Sequence, residues 1–338
     1  MNPDQPSQGP SEIPAEKNVR QNVRNSNTAT VSSSEATTGF RQHKLPNDGA
    51  HPGTTYPDTS LRRQRRVVHD LDAIRRQLTD RDYIVLGLVW AHRVLTTRQV
   101  HALAFGHLPE SSGLRLAQKT LTKLRKLWVL GVSSQQRNRL RRGRPESIYY
   151  VDMVGDRLLR ADWMHELRYQ WKEPTLHYLS HRLAIADVRT ELVTAGHRGQ
   201  LELLTYDPEP DCWRSYSRWG NPRTLKPDMF IQTASTPGSP YVDGFFVEVD
   251  LGTESIPTVL RKCHEYQAYW ATGAEQDDDG NGFPLVVWRV THHDPQAAVR
   301  RRALFRDELT HDRELDPELF RIVAPDQLIH LITKGDDI

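Results

Sequence analysis

At 338 residues and 37% hydrophobic content, the chain is long enough for one or two cores, and length alone suggests two domains. Its longest apolar runs fall far short of the roughly 20 residues needed to cross a bilayer, and Met1 to Arg20 lacks the apolar core of a secretory signal. A cytoplasmic protein with no membrane partner is therefore expected. The formal net charge of +2 conceals an asymmetry: Gly113 to Glu146 carries ten Lys or Arg residues against one acid, which leaves the rest of the chain at −7. Charge concentrated this way suits a polyanion.

Residues 1–60 are rich in Ser, Thr, Asn, Gln, Pro and Gly, with no sustained apolar period, and read as a disordered tail. Arg62, Arg63, Arg65 and Arg66 introduce a helical segment through Leu71, Ile74 and Leu78, and Asp80 is the cap candidate for the next helix. Between Asp80 and Tyr150 the pattern is helix, helix, helix, hairpin. The first helix holds Tyr83, Ile84, Leu86, Leu88 and Val89. The second starts at Thr96 or Thr97, both good caps, and runs to Phe105. The third carries Leu114, Ala117, Leu121, Leu124 and Trp128 on one apolar stripe. At about 100° per residue, Arg115, Lys119, Lys123 and Lys126 fall on a different face, within an arc of roughly 80°.

A basic loop with Arg137, Arg139, Arg141, Arg142 and Arg144 follows, between a short strand and Ile148 to Val151. A basic helix followed by a basic hairpin is the sequence form of a winged helix-turn-helix, in which the third helix reads a groove and the wing grips the backbone. A small helical domain with a solvated basic face is the bland alternative. The expected organisation is a winged helix-turn-helix over 61–152, a helical linker over 153–176 and an α/β domain over 177–338. The last has the order helix, three strands, helix, strand, with the final strand entered across a helical crossover. Cys212 to Arg223 reads as a loop in which Trp213, Arg214, Tyr216, Arg218, Trp219 and Arg223 interleave aromatics with cations, a composition that suits single-stranded DNA or a loop packed on itself. Asp277 to Gly282 reads as an acidic turn.

The strand Phe245 to Asp250 alternates faces, so Glu248 and Asp250 share one face of a run otherwise made of Phe and Val. On the next helix Lys262 lies in a stripe with Val259, Tyr266 and Tyr269, a face that packs on the sheet. A lysine there is unusual unless its ammonium reaches a carboxylate, Glu248 and Asp250 being the natural partners. A buried ion pair without chemistry reads the same residues equally well. His177 and His181, four apart on a helix, lack the Glu of a zincin and read as structural. His292-His293-Asp294 lacks the apolar residue of a histidine-type relaxase, and Tyr149, Tyr150, Tyr266 and Tyr269 read as core or hydrogen-bonding residues before nucleophiles. The two cysteines, Cys212 and Cys263, make neither a disulfide framework nor a thiolate zinc site.

Pro227-Asp228 at one strand and Glu248 near the end of the next resemble the PD-(D/E)xK nucleases. That resemblance implies an α/β sandwich with a mixed sheet, in which Asp228, Glu248 and Asp250 hold Mg²⁺. The lysine position two beyond Glu248 is Asp250, a departure from the pattern. Some members supply the lysine from the following helix, where Lys262 stands, and Glu191 stands where an additional acid is often found. The wider combination of His177-Tyr178-Leu179-Ser180-His181, Lys226-Pro227-Asp228 and Glu248-Val249-Asp250-Leu251-Gly252-Thr253-Glu254 resembles the replication-relaxation family, from about Asp80 to Thr272. It implies a DNA-binding protein of a plasmid or mobile element, acting in replication or relaxation of plasmid DNA, with duplex or single-stranded DNA and replication or conjugation proteins as partners. A Mg²⁺-dependent nickase and a non-enzymatic accessory factor or regulator both stay open.

Overall fold

The computed structural model describes residues 70–136, 146–163, 174–276 and 282–335. The amino-terminal tail, Arg62 to Arg66, the loop arginines Arg137 to Arg144, the later part of the linker and the acidic turn at 277–281 lie outside the described residues.

Short helix α1 (Leu71–Arg75) is capped by Asp70, whose carboxylate accepts from the Ala73 amide at 2.8 Å. Helix α2 (Asp80–His92) starts one residue before the expected cap could act. Thr79 is its N-cap, and the Asp82 carboxylate accepts from the Thr79 amide and hydroxyl, both at 2.8 Å, so Asp80 is the first helical residue. Strand β1 (Val94–Thr96) leads into α3 (Thr97–Phe105), where Thr96 and Gln99 bond reciprocally. Helix α4 (Glu110–Lys126) buries Ala117, Leu121 and Leu124 as the stripe requires. Trp128 leaves that stripe. The helix ends at Lys126, and Trp128 sits beyond it at φ 60 with 47% exposure.

Strands β2 (Leu130–Gln136) and β3 (Ser147–Val151) complete an antiparallel sheet in the order β1-β3-β2. Gly131 of β2 is needed for close approach: a Cβ there would meet the Tyr150 ring at 2.2 Å. The core of this region gathers Leu86, Val89, Val100, Phe105, Leu121, Leu124 and Leu158, the last from α5 (Met153–Trp163).

Helix α6 (Leu176–His197) is apolar on more than one side, as a helix buried all round must be. Its Ala186 enters the core just described, while Leu179 and Leu183 pack with Val94, Ile148 and Tyr150. Gln99 of α3 adds a polar tie, donating to the Leu183 carbonyl and to Asp187, both at 2.8 Å.

The other sides of α6 cover a five-stranded mixed sheet, in the order β10-β9-β8-β7-β4. Its strands are β4 (Glu202–Pro208), β7 (Met229–Ala234), β8 (Asp243–Asp250), β9 (Leu285–Val290) and β10 (Phe320–Val323). The strands β4, β7 and β8 run antiparallel, then α7 (Ile256–Trp270) crosses over to β9, parallel to β8, and β10 continues parallel. This is the α/β class with a mixed sheet that the sequence implied, including the helical crossover. One face, with Phe246, Val286, Trp288 and Phe320, packs under α7 and α8 (Pro295–His311) through Val259, Tyr266 and Phe305. The opposite face, with Val247, Val249 and Val287, packs under α6 and α9 (Leu328–Lys334) through Val188, Leu192 and Leu331. Helices on both faces explain why β8 reads as an almost unbroken apolar run. The segment expected as a Trp-rich loop is a hairpin of β5 (Arg214–Arg218) and β6 (Asn221–Leu225).

Candidate functional site

The carboxylates meet at a cavity of about 260 Å³, lined by His177, Tyr178 and His181 of α6, Asp228 ahead of β7, Glu248 and Asp250 of β8, Thr253 and Glu254 of the following loop, Lys262 of α7 and Trp288 of β9. Sheet geometry accounts for the convergence. The Asp228 Oδ2 accepts from the Val249 amide at 2.8 Å, so one strand's leading residue is pinned to the end of its neighbour. On the other oxygen, His181 Nε2 lies 3.1 Å away.

Glu248 is 1% exposed, and both of its oxygens are engaged: Lys262 Nζ donates to Oε2 at 2.6 Å and the Tyr266 hydroxyl donates to Oε1 at 2.5 Å. The stripe of α7 thus delivers Lys262 and Tyr266 to one carboxylate, with Val259 and Tyr269 buried on the same face. Tyr266 is not a free nucleophile. Burial and the adjacent Glu248 carboxylate push its hydroxyl well above the usual tyrosine range.

The two carboxylates differ in how readily they take a proton. Burial would raise Asp228, but the Lys262 ammonium, His181 and the Val249 amide outweigh it and hold the carboxyl at about 2. Burial pushes Glu248 up to about 8 against the pull of Lys262, and the charge of Asp228 adds to the rise. Lys262 stays cationic, since Glu248 and Asp228 raise it in spite of burial. His181 is raised too, its hydrogen bond to Asp228 prevailing over burial.

Asp250 shares the Glu248 face as expected but answers a different partner. Arg301 of α8 grips it through Nε at 2.5 Å and Nη2 at 3.1 Å, and the Gly252 amide donates to Oδ1 at 2.8 Å. Gly252 has φ 73, and a Cβ there would meet the His292 ring at 2.6 Å, so the turn after Asp250 requires glycine. Glu191 lies apart from the cavity, bonded to Arg289 of β9 at 2.5 Å. Among the described residues, no three or more His, Cys, Asp or Glu side chains form a ready metal cage. Asp228 and Glu248 are hard oxygen donors of the kind Mg²⁺ takes, one or two carboxylates with water or phosphate completing the shell, and each of their oxygens already has a protein partner that a metal would have to displace or share.

The sequence singled out His181, though as a structural residue and not as a partner of Asp228, and gave no sign of Arg301. The four-residue spacing of His177 and His181 put both on one turn-to-turn face of α6, and that was the available signal. Nothing local marked Arg301, which lies 51 residues from its partner.

A second feature lies on α4. A groove of about 870 Å³ is lined by Arg81, Arg115, Lys119, Lys123 and Lys126. Arg115, Lys119 and Lys126 are exposed. Lys123 is taken by the buried Asp82, 2.5 Å from its Oδ2.

The replication-relaxation family model matches residues 86–286. The chain belongs to the replication-relaxation family. The matched residues run from α2 into β9 and include His181, Asp228, Glu248 and Lys262, whereas Arg301 lies beyond them. Neither a curated protein nor a solved structure matches this replication-relaxation protein. No helix among its described residues is long and apolar enough to cross a membrane.

Proposed function

We propose that this replication-relaxation protein binds plasmid or mobile-element DNA through a winged helix and nicks it in a metal-dependent, PD-(D/E)xK-like site. The observation that carries the reading is the meeting of Asp228, Glu248 and Lys262 at one cavity on the α-β-β-β-α-β frame. Arg115, Lys119 and Lys126 on α4, with Arg137, Arg139, Arg141, Arg142 and Arg144 further along the sequence, supply the cations for phosphate. Three helices with a small antiparallel sheet favour the winged-helix assignment of those cations.

Asp228 and Glu248 would hold the metal. When bound, Mg²⁺ supplies a water of lowered pKa and offsets charge on the scissile phosphate. Asp228, kept ionised by Lys262 and His181, is a ligand available over the whole neutral range. Lys262 carries a positive charge at the same cavity, bonded to Glu248, and Tyr266 orients the Glu248 carboxylate it bonds. Asp250 braces the end of β8 through Arg301.

Supercoiled plasmid with Mg²⁺ tests the reading. Nicking should vanish in Asp228→Ala and Glu248→Ala and fall at least about a hundredfold in Lys262→Ala, the scale of one lost electrostatic contact in a transition state. Unchanged nicking in all three sinks the assignment. A non-enzymatic accessory role is the second reading, favoured by the engagement of both Glu248 oxygens. It is selected if the wild-type chain binds DNA but leaves it uncut whichever divalent metal is supplied.

A further inference from the structure

The β5–β6 hairpin is used by none of the chemistry above. From Cys212 to Pro227 the chain has no Asp or Glu, while Arg214, Arg218, Arg223 and Lys226 give it +4. Directly opposed residues of an antiparallel pair share a face, so the register puts Arg214, Tyr216 and Arg218 on one face with Leu225, Arg223 and Asn221. Near the base that face is consumed by packing. Leu225 and Tyr216 join the core under α7, and Arg214 donates to Glu275 at 2.5 Å. Toward the tip Arg218 and Arg223 are exposed, as is Lys226 at the exit of β6, and no ion pair among the described residues takes up any of the three.

The turn itself is Trp219-Gly220, with both residues left-handed, at φ 51 and φ 75. A two-residue turn of this kind favours Asn-Gly, because a bulky side chain at positive φ is strained. Trp219 is also 86% exposed, so burial does not repay the strain. The Arg218 guanidinium lies 4.4 Å from its ring centroid, and Lys226 Nζ lies 4.7 Å from that of Trp213, itself exposed. Neither backbone preference nor core packing accounts for a tryptophan at this tip.

We infer that the tip of the hairpin grips single-stranded DNA, with Trp219 stacking on a base and Arg218 and Arg223, which share one face, meeting phosphates. Aromatic platforms flanked by cations hold unpaired strands without regard to sequence, because every base has a face to stack. A duplex keeps those faces occupied and offers this surface only phosphates. From β6 the chain passes through Lys226 and Pro227 directly to Asp228, so the base of the hairpin joins the segment that carries the candidate site. The inference rests on the DNA-directed reading above and names the form of DNA.

Fluorescence anisotropy of the full chain with labelled oligothymidylate and with a blunt duplex tests it. Trp219→Asn places a preferred residue in the turn, so its unfolding midpoint should hold or rise. Its oligothymidylate affinity should fall about five- to a hundredfold, the worth of one stacked base, with duplex affinity little changed. Arg218→Gln with Arg223→Gln should weaken oligothymidylate binding and flatten its salt dependence. Wild-type affinity in both variants overturns the inference, and so does an equal loss on duplex and single strand, or a change in self-association alone. Asp228→Ala separates the two readings. If no form of the protein nicks plasmid but Trp219→Asn still loses oligothymidylate, the grip stands and only the nuclease reading falls.

Discussion

The helical region up to β3 and the region built on the five-stranded sheet handle charge in opposite ways. On α4, Arg115, Lys119 and Lys126 remain exposed, and the buried Asp82 draws in Lys123 alone. Around β8, the carboxylates are buried and matched by half-buried cationic or imidazole side chains: Asp228 with His181, Glu248 with Lys262, Asp250 with Arg301. Exposed charge contributes little to folding and leaves its field free for a distant polyanion. Buried charge is costly unless paired, so each carboxylate on β8 constrains the elements that supply its partner. The first region is therefore suited to attraction at range, and the second to holding groups in fixed geometry.

That contrast is sharpest at Arg301. Arg301→Ala leaves Asp250 buried without its cation and should destabilise the protein by about 3–5 kcal/mol, measured by denaturant unfolding. A loss under about 0.5 kcal/mol, the range of ordinary surface substitutions, would erase the distinction. The opposite behaviour is expected of Arg115→Gln with Lys119→Gln. Stability should stay within about 0.5 kcal/mol, while the slope of duplex affinity against salt, in logarithms, should shallow by about 1.8 for two lost phosphate contacts. The smallest effect is one of pH. His181 has a raised pKa in the folded protein, so its pairing with Asp228 contributes stability that is fully present below pH 6.5, its unfolded value, and is lost as pH rises through the folded value. The stability difference between wild type and His181→Gln should shrink accordingly from pH 6 to pH 9 in thermal unfolding.

Much of the sheet region was legible because its signals are local and strong. β8 and β9 are long apolar runs, and the three-four-three stripe of α7 put Lys262 on the buried face before any partner was known. Short or polar elements were not. β5 alternates Arg, Ser and Tyr with no apolar face to mark it as a strand, and β10, four residues long, is set by pairing with β9. Trp128 continued the α4 period on paper, yet the helix had already ended, because spacing carries no information about where a cap falls. At the site, Glu248, Asp250 and Lys262 could be read from strand and helix periods, whereas Asp228 was marked only by the resemblance of Pro227-Asp228 to the PD-(D/E)xK pattern. The His181 and Arg301 partnerships could not be read, since they join residues that only tertiary packing brings together. Glu191 shows the converse: its position on α6 suited an added acid, but Arg289, projecting from the α6-facing side of β9, claims it.

Helix α6 is common property of both cores. Leu179, Leu183 and Ala186 serve one, and Ile185, Val188 and Leu192 serve the other. A recombination breakpoint between β3 and β4 would leave one descendant with an uncovered apolar wall and the other with a helix half undressed. The span from α2 to β9 is therefore a poor candidate for shuffling, whereas nothing in the interior has to follow a residue change on the exposed face of α4 or at the hairpin tip.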